Sequence, residues 1–185
     1  AGRVLIGHGN VFREQVSVHA SIRPDGVTTI GNNNLFMVAA HIGHDCCLGN
    51  SIVLTNIVQI GGHCKLEDGV WIGGLVGVHQ FATLGKWCFV TGHTSVVCDV
   101  PPFLVVSGSY PTKIRGVNVR GLERAGLDTQ QQKAVREAHR RLYRGGQGTL
   151  LGKADKLAAE GDLDENVQAI VDSIERSSKH RLGRY

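Results

Sequence analysis

From Ile30 to Val96 an aliphatic residue or phenylalanine falls at every sixth position, through Phe36, Ile42, Leu48, Leu54, Ile60, Leu66, Ile72, Val78, Leu84 and Val90. Glycine follows at Gly31, Gly43, Gly49, Gly61, Gly73 and Gly85. A period of six fits neither an amphipathic helix nor a half-buried strand. It fits short strands joined by tight corners: three six-residue sides close one triangular coil, and stacked coils form a parallel β-helix. The frame extends back through Val18, Phe12 and Ile6, with Pro24 breaking it. A second column lies two positions earlier, from Thr28, Asn34, Ala40 and Cys46 to Cys88 and Thr94. Its residues are mostly small or β-branched, as a narrow prism interior requires.

The period stops near Val100, where "DVPPFLVVSGSYPTKIRG" carries three of the four prolines. Beyond it the pattern is helical. Asp128 and Gln131 have capping-box spacing, and Val135, Ala138 and Leu142 recur at helical intervals until "RGGQG". Two more helices are predicted, at about 150–160 and 164–177. The expected organisation is a β-helix over 1–108 and a small α-helical C-terminal domain over 109–185.

Few aromatics (5%) and 25 glycines suit a chain that turns often and packs small side chains. No long apolar run occurs, so no membrane-embedded segment is expected. The first residues, "AGRVLIGHGN", carry no export-signal pattern. Five cysteines, an odd number, predict a reducing, cytoplasmic setting without a disulfide framework. Cys46, Cys64 and Cys88 fall in the inner column and are assigned to packing. Residues 1–114 balance six Lys/Arg against six acids, whereas 115–185 hold 14 against 10. The basic tail fits an anionic partner or a substrate phosphate, and equally a solvated helical surface. Nothing points to nucleic acid.

The chemistry gathers around "AAHIGHDC". Counted modulo 18, His79, His44 and His63 fall in neighbouring columns on successive coils, which rise by about 4.8 Å each. His41 begins the same side as His44. One reading is a polar repeat edge without chemistry. A second is a zinc site of three histidines, as in the γ-class carbonic anhydrases, which share this kind of helix; it fails where a ligand is needed and Leu84 stands. No metal is therefore expected. The third is acyl transfer: a neutral imidazole can take a hydroxyl proton near neutral pH. Gly61 and Gly62 in "IGGHC" place unobstructed N–H groups beside the histidines for an oxyanion.

"NNNLFMVAAHIGHDC", "GGH", "GVHQF", "DVPP" and "GVNVRGLERAG" follow one another in an order and spacing that resembles the acyl-carrier-protein-dependent UDP-N-acetylglucosamine O-acyltransferases, which perform the first step of lipid A synthesis. The resemblance runs along essentially the whole chain. It implies a left-handed coil, a homotrimer, acyl carrier protein and UDP-N-acetylglucosamine as partners, and no cofactor, the donor being a 3-hydroxyacyl carrier protein. By position it implies that His44 is the general base that deprotonates the sugar 3-hydroxyl, that Asp45 orients it and that the Gly62 N–H binds the oxyanion. Met37, His41, His63, His79 and Gln80 match positions lining the substrate cleft, Asn118 and Arg124 match nucleotide-binding positions, and Gly92 falls where the family sets the depth of the acyl groove. Asp45 adjoins His44, so a regular strand would point the two apart; the role needs a corner there or a hydrogen bond from another coil. Arg120 stands where the family usually carries Glu, and Ala125 where it has a second Arg. The chain begins several coils into the family's helix. The alternatives are the N-acyltransferase acting later in lipid A synthesis, an acetyl-CoA-dependent hexapeptide transferase, or a non-catalytic structural β-helix.

Overall fold

The computed structural model describes residues 2–109 and 111–179. It is a three-sided prism of short parallel strands capped by helices. The first face stacks Arg3–Ile6, Val27–Ile30, Cys47–Leu48, Lys65–Leu66 and Thr83–Leu84. The second carries Val11–Phe12, Leu35–Phe36, Val53–Leu54, Trp71–Ile72 and Phe89–Val90. The third carries Ser17–Val18, His41–Ile42, Gln59–Ile60, Gly77–Val78 and Ser95–Val96. Each strand pairs with the one a full coil away, as Leu35 does with Val53 and His41 with Gln59.

Both predicted inner columns are buried from Ile30 to Val96, and they form one hydrophobic core, with Asn34 and Thr94 as polar exceptions. Asn34 is satisfied inside: its Nδ2 donates to the Gly49 carbonyl at 3.1 Å and its Oδ1 accepts from the Ile52 N–H at 2.7 Å. Truncating one large member, such as Ile60 to Ala, would cost about 2–5 kcal/mol, since a packed prism cannot collapse onto the void.

Three kinds of corner join the faces. Each turns through a residue in the left-handed region: Asn33, Ser51 and Trp87 between the first and second faces; Ile57 and Leu75 between the second and third; Asp45, His63 and Phe81 between the third and first. The amide of that residue then bonds the coil below, as His63 N–H does to the His44 carbonyl at 2.9 Å. Below they are called the asparagine, apolar and histidine corners.

Three departures from the sequence pattern have local causes. The first coil is longer than the others by the length of one whole side, pairing Arg3 with Val27 and Ser17 with His41. The added segment around Pro24 leaves the prism at the histidine corner and returns in phase, so the proline marks an excursion rather than a break. The last turn is two positions short of the repeat at Pro101–Pro102, pairing Phe89 with Val105. Finally Lys113–Val117 returns antiparallel on Leu104–Ser107, so the second face continues past residue 108.

The helices are α1 (Val119–Arg124), α2 (Thr129–His139), α3 (Leu150–Ala158) and α4 (Glu165–Lys179). The Asp128–Gln131 capping box starts α2, and a π-helical turn, Arg140–Arg144, ends it. Val135, Ala138 and Leu142 face a second core with Phe103, Leu122, Ile170 and Ile174. Lys86 ties coil to helices, its Nζ 2.9 Å from Asn166 Oδ1. Among the described residues no helix is long and apolar enough to cross a membrane.

Candidate functional site

His44 closes the third face and Asp45 is the left-handed residue of the histidine corner, φ 59°. The turn brings the two side chains round to the same side, and His44 Nδ1 lies 2.8 Å from Asp45 Oδ2. The corner considered from the sequence is present. Asp45 is held from below by the excursion: the Ser21 hydroxyl donates to Oδ1, and the Ile22 N–H to Oδ2 at 3.3 Å. Its own amide donates to Thr28 Oγ1 at 2.8 Å. The Ser21 hydroxyl is the main cause that holds the Asp45 carboxyl down at about 2; burial opposes it, and His44, the Ile22 N–H and nearby His63 lower it further. An ionised carboxylate only accepts hydrogen bonds, so in the neutral ring Nδ1 of His44 carries the proton and Nε2 the lone pair.

Above His44 the side chains stack. The His63 ring meets it edge-on at 4.9 Å, and Phe81 lies flat on His63 at 4.6 Å and 3°. Gly62 sits beside the imidazole; a Cβ there would come within 2.7 Å of His44 Cε1 and Nε2. Only glycine lets the ring rest at this place. The Gly62 amide makes no backbone hydrogen bond among the described residues. Ligand atoms of His44, Asp45 and His63 lie within 4.8 Å of one another and could hold a divalent ion. To serve together, His44 Nδ1 and Asp45 would have to give up their mutual hydrogen bond, or His44 turn Nε2 to the ion.

His79 does not join this stack. Vertically it aligns with Gly61 and Gly43, whereas His44 aligns with Gly62 and Gln80, and His63 with Asp45 and Phe81. A shift of one residue at a corner changes the direction a side chain faces. His79 donates through Nδ1 to the Gln80 carbonyl at 3.0 Å. With His41, Gln59 and Gly77 it lines an open cavity of about 400 Å³ on the third face. His41 contacts Ser17 Oγ at 2.9 Å and His19 edge-on at 4.5 Å; burial, then the charge of His19, lowers its pKa. Met37, half-buried, and Gly92, exposed, stand at the apolar corner, with Val38, Ile57 and Leu75 exposed along it. A Cβ at Gly92 would lie 3.2 Å from the Gly74 carbonyl, so a side chain there requires that backbone to give by a few tenths of an ångström.

Asn118 and Arg124 lie on the second face of the same chain. Asn118 caps α1, accepting from the Gly121 N–H at 3.1 Å and donating to the Trp87 carbonyl at 2.8 Å. Arg124 covers the Trp71 ring at 4.5 Å. Both line a cavity of about 200 Å³ with Trp71, Trp87, Phe89 and Arg120. One chain thus divides the sequence-named residues among the histidine corner, the third face with the apolar corner, and the second face. Sequence reasoning missed Ser21, His19 and Phe81; Phe81 was within reach, since it stands one full coil after His63.

Comparison with known proteins adds identity to this geometry. A family profile described as UDP N-acetylglucosamine O-acyltransferase, domain 2, matches residues 99–183. The chain is 37% identical over 180 residues to the acyl-[acyl-carrier-protein]–UDP-N-acetylglucosamine O-acyltransferase of Aliivibrio salmonicida, covering 97% of this chain and 68% of that one. It superposes on the Arabidopsis UDP-N-acetylglucosamine acyltransferase with a TM-score of 0.91 at 32% identity, covering 98% of this chain and 64% of the other. With the enzyme from Moraxella catarrhalis the values are 0.85, 36%, 97% and 68%. The chain therefore spans about two-thirds of the length of the relatives it matches. A rigid superposition preserves hand, so the coil shares the left-handed winding of the fold it matches.

Proposed function

The chain belongs to the acyl-[acyl-carrier-protein]–UDP-N-acetylglucosamine O-acyltransferase family, and from that premise we propose that the complete protein transfers a 3-hydroxyacyl group from acyl carrier protein to the 3-hydroxyl of UDP-N-acetylglucosamine. The observation that carries the mechanism is the 2.8 Å contact of His44 Nδ1 with an ionised Asp45, which leaves Nε2 as the acceptor beside Gly62. Nε2 takes the hydroxyl proton as the sugar oxygen attacks the thioester carbonyl. Asp45 stabilises the imidazolium that forms, and the Gly62 N–H receives the tetrahedral oxyanion. Collapse breaks the C–S bond, leaves the new ester on the sugar and passes the proton from His44 to the departing thiolate, which leaves as the thiol. No cofactor enters this chemistry.

A base of this kind supplies about 10²–10⁴-fold and an oxyanion donor about 10²–10³-fold. The division of residues within one chain fits a homotrimer, and a cytoplasmic location is part of the same proposal. His41 and His79, displaced from His44 on the third face, would then complete the site of a neighbouring copy. The exposed Val38, Ile57 and Leu75 give such an assembly an apolar edge to cover. Asn118 and Arg124, with Trp71, would serve the nucleotide from another side of the same cleft, and Gly92 would leave room for a long acyl chain.

The test is His44→Ala in the full-length protein. Turnover should fall by at least about 10²-fold while the melting temperature and nucleotide affinity stay near wild type. Near-normal kcat would overturn the reading, and lost stability with residual activity would return His44 to a packing role.

A further inference from the structure

The excursion in the first coil has no place in a repeat that needs only packing, and its residues converge on one carboxylate. Ser21, 6% exposed, is locked from several sides. Its Oγ accepts from the Arg23 N–H at 3.0 Å, and its single hydroxyl proton goes to Asp45 Oδ1. A Cβ on Gly26 would lie 2.0 Å from that oxygen, and one on Gly2 would lie 1.9 Å from the Ser21 carbonyl oxygen. The Arg23 carbonyl, 3.4 Å from the same oxygen, is the other acceptor within reach of this hydroxyl, and the closer carboxylate oxygen is the better partner for its proton. Asp45 Oδ2 is meanwhile shared between the Ile22 N–H and His44 Nδ1. With Oδ1 held, the carboxylate plane is fixed and Oδ2 faces the imidazole.

We infer that Ser21 is a positioning residue for the base, acting through Asp45: the excursion Ser21–Gly26 clamps the carboxylate so that His44 keeps one tautomer and one ring orientation. This rests on the reading of His44 as the base. Ser21 touches neither substrate nor the reacting atoms, so its loss should leave binding alone and slow the proton transfer. A carboxylate free to rotate no longer selects the Nδ1–H tautomer, and the fraction of productive imidazole falls.

The experiment is a double-mutant cycle on the full-length protein, with Ser21→Ala, Asp45→Ala and the pair, scored by kcat, KM for the sugar nucleotide and melting temperature. Ser21→Ala should lower kcat roughly tenfold, a part of the 10²–10⁴-fold that a base supplies, with KM unchanged. In the Asp45→Ala background the same change should do nothing further, because its route of action is gone. Additive losses, or a fall in kcat that tracks a fall in melting temperature, would overturn the inference by making Ser21 a packing residue. So would an unchanged kcat in Ser21→Ala. His44→Ala separates the two levels: if it retains activity, the base itself is misassigned; if it is inactive while Ser21→Ala is normal, only the clamp fails.

Discussion

The asparagine and histidine corners are built on the same backbone and use it in opposite ways. Both turn through a left-handed residue, and both recur once per coil. At the asparagine corner the side chains of Asn32, Asn50 and Asp68 point along the stack. Asn32 Oδ1 accepts from His8 N–H at 2.7 Å, Asn50 Oδ1 from Asn32 N–H at 2.8 Å, and Asp68 Oδ1 from Asn50 N–H at 2.7 Å. Each side chain of this ladder is spent on holding one coil to the next. The equivalent positions at the histidine corner are His44, Gly62 and Gln80. There Gly62 contributes no side chain to bond its neighbours, and the His44 ring occupies the space that a side chain would fill. One corner consumes its hydrogen-bonding capacity and the other leaves an imidazole nitrogen and an amide unspent. A repeat becomes a site when its ladder is interrupted, not when its fold changes.

That contrast is sharpest at Gly62. Gly62→Ala would push its methyl into the imidazole, so kcat should drop by about 10²-fold or more, with a modest change in melting temperature. Steady-state kinetics beside a thermal melt would show it; an active alanine variant would mean that His44 can move freely and that its placement is not the point of the glycine.

A smaller effect is expected at the matching position of the other corner. Asn50→Ala removes the acceptor for the Asn32 amide and should cost about 1 kcal/mol of stability, since water can replace part of the exposed bond. Urea melts should register that loss while kcat stays at the wild-type value. A fall in kcat instead would dissolve the distinction between the corners.

The smallest expected signal is acid sensitivity. Asp45 titrates at about 2 in the fold, below the ordinary carboxylate value, so its ionised form contributes stability above about pH 4 that disappears as pH falls toward 2. The difference in melting temperature between wild type and Asp45→Asn should shrink across that window. A constant difference would show that the Ser21 and His44 contacts do not favour the charged form.

Legibility in the sequence follows the same physics. The two inner columns from Ile30 to Val96 are readable residue by residue because a prism this narrow admits only certain sizes. The capping box at Asp128 is readable because it is local. Counting modulo 18 brings His44 and His63 together, but it also places His79 with them. Column numbers carry no information about which side of a corner a residue falls on, and there one position turns the side chain onto another face. The antiparallel strand Lys113–Val117 and the short helix α1 have no periodic signature, since each depends on partners already folded. Ser21 is invisible for a different reason: its role depends on a segment that leaves the repeat, and in the sequence Pro24 marks only an interruption.

That segment also says something about how such a molecule can change over generations. A coil can lengthen without disturbing its neighbours only by bulging outward and rejoining in phase, and here the bulge lies directly beneath Asp45 and His44. The segment carries no reacting group and is tied to no inner column, so its exposed middle, Ile22 to Asp25, can vary while Ser21 and Gly26 keep the clamp. Yet its first residue grips the carboxylate that steers the imidazole. Natural variation in this loop, or deliberate grafting onto it, would act as a dial on the rate while every part that binds or reacts keeps its sequence.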